Sequence, residues 1–430
     1  MIRILQISDI HRMALPDALD YYTKMRDEFL EDITSYCEHR KCQFDHLLIC
    51  GDIAQSGTKE QYEKAKEYIT EICNRIKLKK SEVYVVPGNH DKLRDEGKPA
   101  LRNLIQSGLA NELSNDDMFH ELMQKEYPIF RSLFTPFKNY AEFCNDFDNN
   151  EMMMCKCIAN ENGSINPNKD IAYWHSLLSE DLDGYCVHLY GFNTSLNCDK
   201  YDWSEWNTRG HKMYLSKFAY NAIKKEHGKH INISIMHHPT DYLVNGAAIA
   251  TELDKLFQLQ FYGHVHIPNT TQQQIGGSLK IFSGAMQPPK PQDKVEKSIY
   301  CPVYNIVELS IIRKEKQQDL LHVRLEVNKW NTESRSFECY EEQSKDFDVK
   351  LNPAKSRWEE DKKQIAKLPE NVSQRDIRCA FVTRRDSKQI IESIYEDFYD
   401  DKEIAYINVC KFLEKIQNDN KWIELWERLK

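Results

Sequence analysis

The chain has 430 residues, 41% hydrophobic and 29% charged, with a formal charge of −9. That length allows two or three domains, and the acidic balance excludes a chain coated in basic charge for gripping nucleic acid along its whole length, though not a local basic patch. No apolar run approaches the ~20 residues of a membrane helix, the opening MIRILQISDIHR turns polar too soon for a signal peptide, and 13 scattered cysteines without a CxxC (only Cys155 and Cys157 stand close) fit free thiols in a reducing cytoplasm.

Ile2 to Ile7 reads as a short apolar strand. Tyr21 to His39 repeats apolar groups at helical spacing, and His46 to Cys50 is a second strand. A helix is predicted from about Lys59 to Arg75, with Tyr62, Ala65, Tyr68, Ile69 and Ile72 on one face. Val83 to Val86 makes a third strand, closed by Pro87-Gly88. Such alternation predicts βαβ units and a largely parallel sheet, with ligand sites beyond the carboxyl ends of the strands. From about Lys92 to Gly184 the pattern loosens into an insertion, with helical stretches near Leu101–Leu113 and Phe130–Phe147. Alternation resumes with a strand at Cys186–Asn193, a helix near Leu215–His227, a strand at Ile231–Met236, a helix at Thr251–Leu259 and a strand at Phe261–Tyr262. The later runs Leu279–Phe282, Tyr304–Ile311 and Leu320–Asn328 look antiparallel and are expected to complete a second sheet. Beyond about Ser344 the chain turns charged and mostly helical, with Tyr406–Leu429 the clearest amphipathic run. The expected division is a main domain over 1–335, with the insertion at about 92–184, and a mostly helical accessory region over 336–430.

Five polar clusters follow predicted strands: Asp9-Ile10-His11, Gly51-Asp52, Gly88-Asn89-His90-Asp91, His237-His238-Pro239 and Gly263-His264-Val265-His266. Carboxylate, imidazole and amide oxygen are the donors that hold Mn, Fe or Zn. Two ions about 3.5–4 Å apart need one bridging carboxylate and further ligands on each, and the clusters supply that inventory. Each cluster alone has an ordinary reading as a strand-end turn or core packing. Together, in this order and all at strand ends, they point to a dimetal centre.

The set resembles the calcineurin-like metallophosphoesterases over about residues 1–335. That resemblance implies an α/β fold, a four-layer αββα sandwich, here with an inserted segment and a helical C-terminal extension. It implies a first metal on Asp9, His11, Asp52 and His266. Asp52 would bridge to a second metal on Asn89, His237 and His264. His90 matches the catalytic histidine, acting beside Asp52 and Asn89. His237 and His238 compete for one ligand slot; His237, nearer the strand end, is preferred. One departure is Gln55, where many members carry an Asp; it is no anionic partner for His90, and whether Asp91 or another carboxylate serves is open. Two divalent ions, Mn²⁺ first and Fe or Zn as alternatives, would activate a hydroxide for in-line attack on phosphorus, with His90 assisting the leaving oxygen.

The substrate is less legible. The GNHD motif is similar to that of break-repair nuclease subunits (the SbcD type) and of class III cyclic-nucleotide phosphodiesterases. The large insertion and tail suit a larger substrate or a defence effector, by analogy of fold. The expectation is a phosphodiesterase acting on DNA or RNA, with a cyclic or signalling nucleotide as the alternative and a non-catalytic metal-binding module as a third reading. Lys280, Lys290, Lys294 and Lys297 lie around the Pro-rich loop Gln287–Gln292, which either reaches the metal mouth or is a solvated loop. Phe130, Arg131, Phe134, Phe137, Lys138 and Tyr140 interleave aromatic and basic groups that could stack bases or simply pack a helix. The tail's apolar face is expected either to dock on the main domain or to recruit a protein partner or a second copy.

Overall fold

The computed structural model describes residues 1–15, 20, 22–93, 135–147, 173–198, 213–215, 219–220, 223, 229–244, 246–266, 269–272, 277–287, 302–314, 318–351, 377, 380–381, 386–395, 398–399, 405–419 and 421–429. The chain divides into two compact units, Met1–Pro353 and Ala354–Lys430.

The first unit opens with β1 (Ile2–Ile7), α1 (Thr23–Arg40), β2 (His46–Ile49), α2 (Lys59–Ile76) and β3 (Val83–Val85). All residues of the three strands are buried, as expected of short Val/Ile/Leu runs covered on both faces. Helix α2 starts at a capping box, Thr58 with Gln61, and buries Tyr62, Ala65, Tyr68, Ile69, Ile72, Cys73 and Ile76 along one stripe. Later come α3 (Lys138–Cys144), β4 (Tyr173–Leu182), β5 (Tyr185–Phe192), β6 (His230–Met236), α4 (Gly246–Leu256), β7 (Leu259–Tyr262), β8 (Asn269–Gln272) and β9 (Leu279–Phe282). The unit ends with β10 (Val303–Ile312), β11 (Leu320–Asn331), β12 (Ser336–Cys339) and β13 (Lys345–Lys350).

These strands make two sheets. One runs β12-β11-β10-β1-β2-β3, with β13 also on β11; the other runs β4-β5-β6-β7-β9-β8. One core joins both sheets with α1 and α2, and a second joins α4 to the other face of the β5–β6–β7 sheet through Ile249, Leu253 and Phe257. The layering is the αββα sandwich.

Three expectations change. Strands β10 and β11 are antiparallel, but they extend the first sheet through β1 rather than completing the second. Strand β9 pairs in parallel with β7. The main domain does not stop at residue 335. Ser336–Cys339 and Lys345–Lys350 pair with β11 as edge strands, and the charged, mostly exposed side chains of Lys345–Lys350 suit an edge facing water; that alternation is easily taken for a solvated helix. The Leu101–Leu113 helix and most of the insertion lie outside the described residues, as does most of Leu215–His227. No helix among the described residues is long and apolar enough to cross a membrane.

The second unit contains α5 (Ser387–Ile394), α6 (Ala405–Asp419) and α7 (Trp422–Leu429). The predicted single run is two helices, with Lys421 N–H bonded to the Ile416 carbonyl at their junction. Ile377, Phe381, Ile390, Ile391, Phe412, Ile416, Trp422 and Leu425 form a core within this unit, so the apolar face is buried at least in part against the unit's own helices.

Candidate metal centre

The five clusters sit beyond the carboxyl ends of β1, β2 and β3 in one sheet and of β6 and β7 in the other. Main-chain bonds lock them together: Asp9 N–H to the Gly51 carbonyl at 3.0 Å, His11 N–H to Asp52 at 2.9 Å, and Gly263 N–H to His237 at 3.0 Å. The sheets are tied at Asp9, whose Oδ2 accepts from His264 N–H at 3.2 Å. Asp9, His11, Asp52, His264 and His266 all have positive φ, between 45° and 68°. Five non-glycine residues in the left-handed region are uncommon outside sites where function holds the strain. Glycine is required at Gly88 for a different reason: a Cβ there would lie 2.1 Å from Asp52 Oδ1.

The side chains converge. His266 Nε2 lies 3.0 Å from Asp9 Oδ1, and His11 Nε2 is 3.8 Å from Asp9 and 3.9 Å from Asp52. On the other side of Asp52, His237 Nε2 is 3.4 Å from Oδ2 and 3.2 Å from Asn89 Oδ1. Asp52 Oδ2 therefore faces an imidazole from each group, as a bridging oxygen would. Asp9, His11 and His266 form one set of mutually close donors, and His237, His238 and His264 form another. Donors about 2.0–2.2 Å from one ion stand roughly 3–3.5 Å apart, so the spacing and the donor chemistry fit a pair of divalent cations.

His237 and His238 are told apart by their bonds. His237 Nδ1 donates to the Cys50 carbonyl at 2.7 Å, which turns Nε2 toward Asp52 and Asn89. His238 Nδ1 instead meets Thr194 Oγ1 at 2.9 Å, and its Nε2 lies 3.9 Å from Cys198 Sγ. His238 is thereby placed behind His264, with ring centroids 4.6 Å apart.

His90 is held by its backbone N–H on Asp52 Oδ1 at 2.7 Å and by Nδ1 on the Gln55 carbonyl at 2.8 Å. The carbonyl can only accept, so Nδ1 carries the proton and Nε2 is the nitrogen not committed to Gln55. The open question of a partner for His90 is thus answered by the main chain of Gln55, not by a carboxylate. Asp91 is committed elsewhere: it accepts from the N–H groups of Ile53, Ala54 and Gly88 and from Tyr62 Oη, splicing the second and third clusters together.

Protons divide unevenly among these groups. Burial pushes His11 and His264 down to about 3 and His238 well below the usual range, the neutral state that ligation needs. Burial opposes protonation of His237 too, but Asp52 and Asp9 outweigh it and raise the group to about 9. For Asp52, burial is overcome by His237 and His90, which hold the carboxyl well below its ordinary value. Burial, then the Asp52 charge, lifts Asp91 to about 7.

Several supporting residues were not expected from the sequence: Thr194 behind His238, Tyr62 behind Asp91, and Ser8, whose Oγ donates to Asp9 at 2.5 Å. Thr194 belongs to a sixth buried polar strand end, Asn193-Thr194-Ser195 after β5, which was the available signal. The proposed basic and aromatic patches fare differently. Lys280 is buried and paired with Asp254 at 3.1 Å, and Phe137 and Tyr140 are core residues. Lys138 is exposed. Lys290, Lys294, Lys297, Phe130, Arg131 and Phe134 lie outside the described residues.

Comparison with known proteins agrees with this geometry. YydB of Bacillus subtilis (strain 168), an uncharacterized metallophosphoesterase-like protein, is 29% identical over 297 residues, 66% of this chain and 53% of that protein. The 3',5'-cyclic-nucleotide phosphodiesterase alr5338 of Nostoc sp. (strain PCC 7120 / SAG 25.82 / UTEX 2576) is 30% identical over 116 residues, 26% of this chain and 41% of that protein. The chain thus spans about half the length, or less, of these curated relatives. Among solved structures, the calcineurin-like phosphoesterase YfkN from Bacillus subtilis aligns over 81% of this chain and 90% of that one, at 13% identity and a TM-score of 0.34, too loose to argue from. The model of the calcineurin-like phosphoesterase family matches residues 2–268, more than half the sequence and all five clusters, and the chain belongs to that family.

Proposed function

We propose that the protein is a dimetal phosphodiesterase acting on nucleotide phosphodiesters. The observation that carries this reading is the placement of His90, fixed by Asp52 on one side and by the Gln55 carbonyl on the other, with Nε2 left for the substrate. Two divalent cations, Mn²⁺ first for a donor set of carboxylate, imidazole and amide oxygen, would be held by Asp9, His11, Asp52 and His266 and by Asp52, Asn89, His237 and His264. When bound they supply Lewis acidity toward the phosphoryl oxygens and a water acidic enough to serve near neutral pH. Asp52 keeps the two sites in register, because its carboxylate is fixed by the His90 N–H and by the glycine-permitted approach of Gly88. His90 Nε2 is the group that would assist the leaving oxygen as a general acid.

A polynucleotide and a 3′,5′-cyclic nucleotide offer the same diester to this centre. The sequence favoured the polymer, but Lys280, Phe137 and Tyr140 are now accounted for by ion pairing and core packing. The similarity to the Nostoc cyclic-nucleotide phosphodiesterase supports the second reading. Purified protein with Mn²⁺ should hydrolyse a chromogenic diester, and a panel of single- and double-stranded DNA, RNA and cyclic nucleotides should show one strongly preferred class. Hydrolysis of phosphomonoesters alone would overturn the reading.

A further inference from the structure

The loop after β9 carries a polar side chain with no partner inside the protein. Gln287 is 3% exposed, and neither its Nε2 nor its Oε1 makes a hydrogen bond. Other buried amides, Asn232, Asn305 and Asn328, each leave one atom unpaired; among the described residues Gln287 is the amide unpaired at both ends. Buried polar groups are nearly always satisfied, and an exception calls for a specific reason.

The main chain fixes where this side chain begins. Gln287 N–H donates to the Asp9 carbonyl at 3.0 Å, and Met286 N–H donates to the Ser8 carbonyl at 2.9 Å. The loop therefore runs beside the Asp9–His11 turn, crossing from the second sheet to the first. Met286 is taken up by the core between the sheets. Gln287 is left within one peptide unit of a metal-ligating carboxylate whose own oxygens are already engaged by Ser8, His264 and His266. An apolar residue of the same shape would be the more stable choice at such a position, and residues that break this rule cluster at functional sites.

We propose that Gln287 is a substrate-binding residue of the metal centre, its Nε2 donating to a non-bridging oxygen of the phosphoryl group under attack. This rests on the phosphodiesterase reading. An amide suits the task because it adds a directed donor without adding charge to a centre already rich in cations, and its Oε1 is then available to a nucleotide hydroxyl.

The test is Gln287→Met in the full chain, a swap of similar volume. In chelator, its unfolding temperature should equal or exceed that of the wild type, because an unpaired amide has been removed. Loaded with Mn²⁺, it should keep the wild-type metal content but bind inorganic phosphate ~10-fold or more weakly by calorimetry, the scale of a lost hydrogen bond to a charged group. A lower unfolding temperature, or a phosphate affinity within threefold of the wild type, would overturn the assignment. Phosphate binding that depends on Gln287 in a protein cleaving no diester would spare this inference and sink the proposed activity. Diester cleavage indifferent to Gln287→Met would do the reverse.

Discussion

Within residues 1–353 the buried interior holds two carboxylates, five imidazoles and an amide around one point: Asp9, Asp52, His11, His237, His238, His264, His266 and Asn89. In residues 354–430 the described buried side chains are Ile, Val, Phe, Trp and Leu, with Asn408 as the polar exception. Both units bury apolar surface for stability, but among the described residues only the first gathers buried ionisable groups whose desolvation works against it. Burying charge without a partner is costly. A chain that places so many ionisable groups together, five of them on non-glycine residues at positive φ, has given up stability for something those groups do. The described residues of the helical unit show no such ionisable cluster.

The contrast makes unequal predictions for the two units. His90→Ala should lower turnover of a chromogenic diester by ~10²–10⁴-fold, the scale of general acid–base groups, while metal content measured by mass spectrometry stays at two. A His90 variant within tenfold of wild type would mean that the side chain held by Gln55 is not the proton donor. Next come the paired histidines. His237→Ala should lose one metal equivalent, whereas His238→Ala should keep both and lose ~10–100-fold in affinity or rate, as is usual for residues that orient ligands. The opposite pattern of metal loss would reverse their roles. The smallest effect belongs to the helical unit. A chain ending at Pro353 should bind two metals and cleave the small diester within about threefold of the full chain, an estimate that follows from a tail whose described core holds no ligand cluster. A folded, metal-loaded truncation without activity would show that residues 354–430 complete the site.

The sequence made the site more legible than the fold around it. Asp9, His11, Asp52, Asn89, His90, His237, His264 and His266 stand out because polar residues directly after Val/Ile/Leu strands violate the burial pattern. The positive φ values of Asp9, His11, Asp52, His264 and His266 were hidden, since Asp and His do not advertise the left-handed region as glycine does. Sheet membership was hidden as well: β10 and β11 read as strands, but the pairing of β10 with β1, as in Ile2 with Leu309, depends on nonlocal contacts that no local pattern encodes. Strand β13 was missed because an exposed edge strand rich in Lys and Asp lacks an apolar signature, and β12 because four residues, Ser336-Phe337-Glu338-Cys339, are too few to show alternation. His90's partner was sought among side chains and turned out to be a carbonyl, a donor–acceptor choice invisible in one-letter code. Of the lysine and aromatic patches, Phe137 and Tyr140 follow the packing alternative that the sequence had left open, and Lys280 is buried in an ion pair with Asp254.

The central claim is that one carboxylate, Asp52, unites two cation sites into a hydrolytic centre. Metal content and diester turnover of wild type and Asp52→Asn, measured side by side after dialysis against Mn²⁺, test it most directly. The account predicts two equivalents for the wild type, at most one for Asp52→Asn, and loss of nearly all turnover in the variant. An Asp52→Asn protein that retains both metals and a rate near that of the wild type would contradict it.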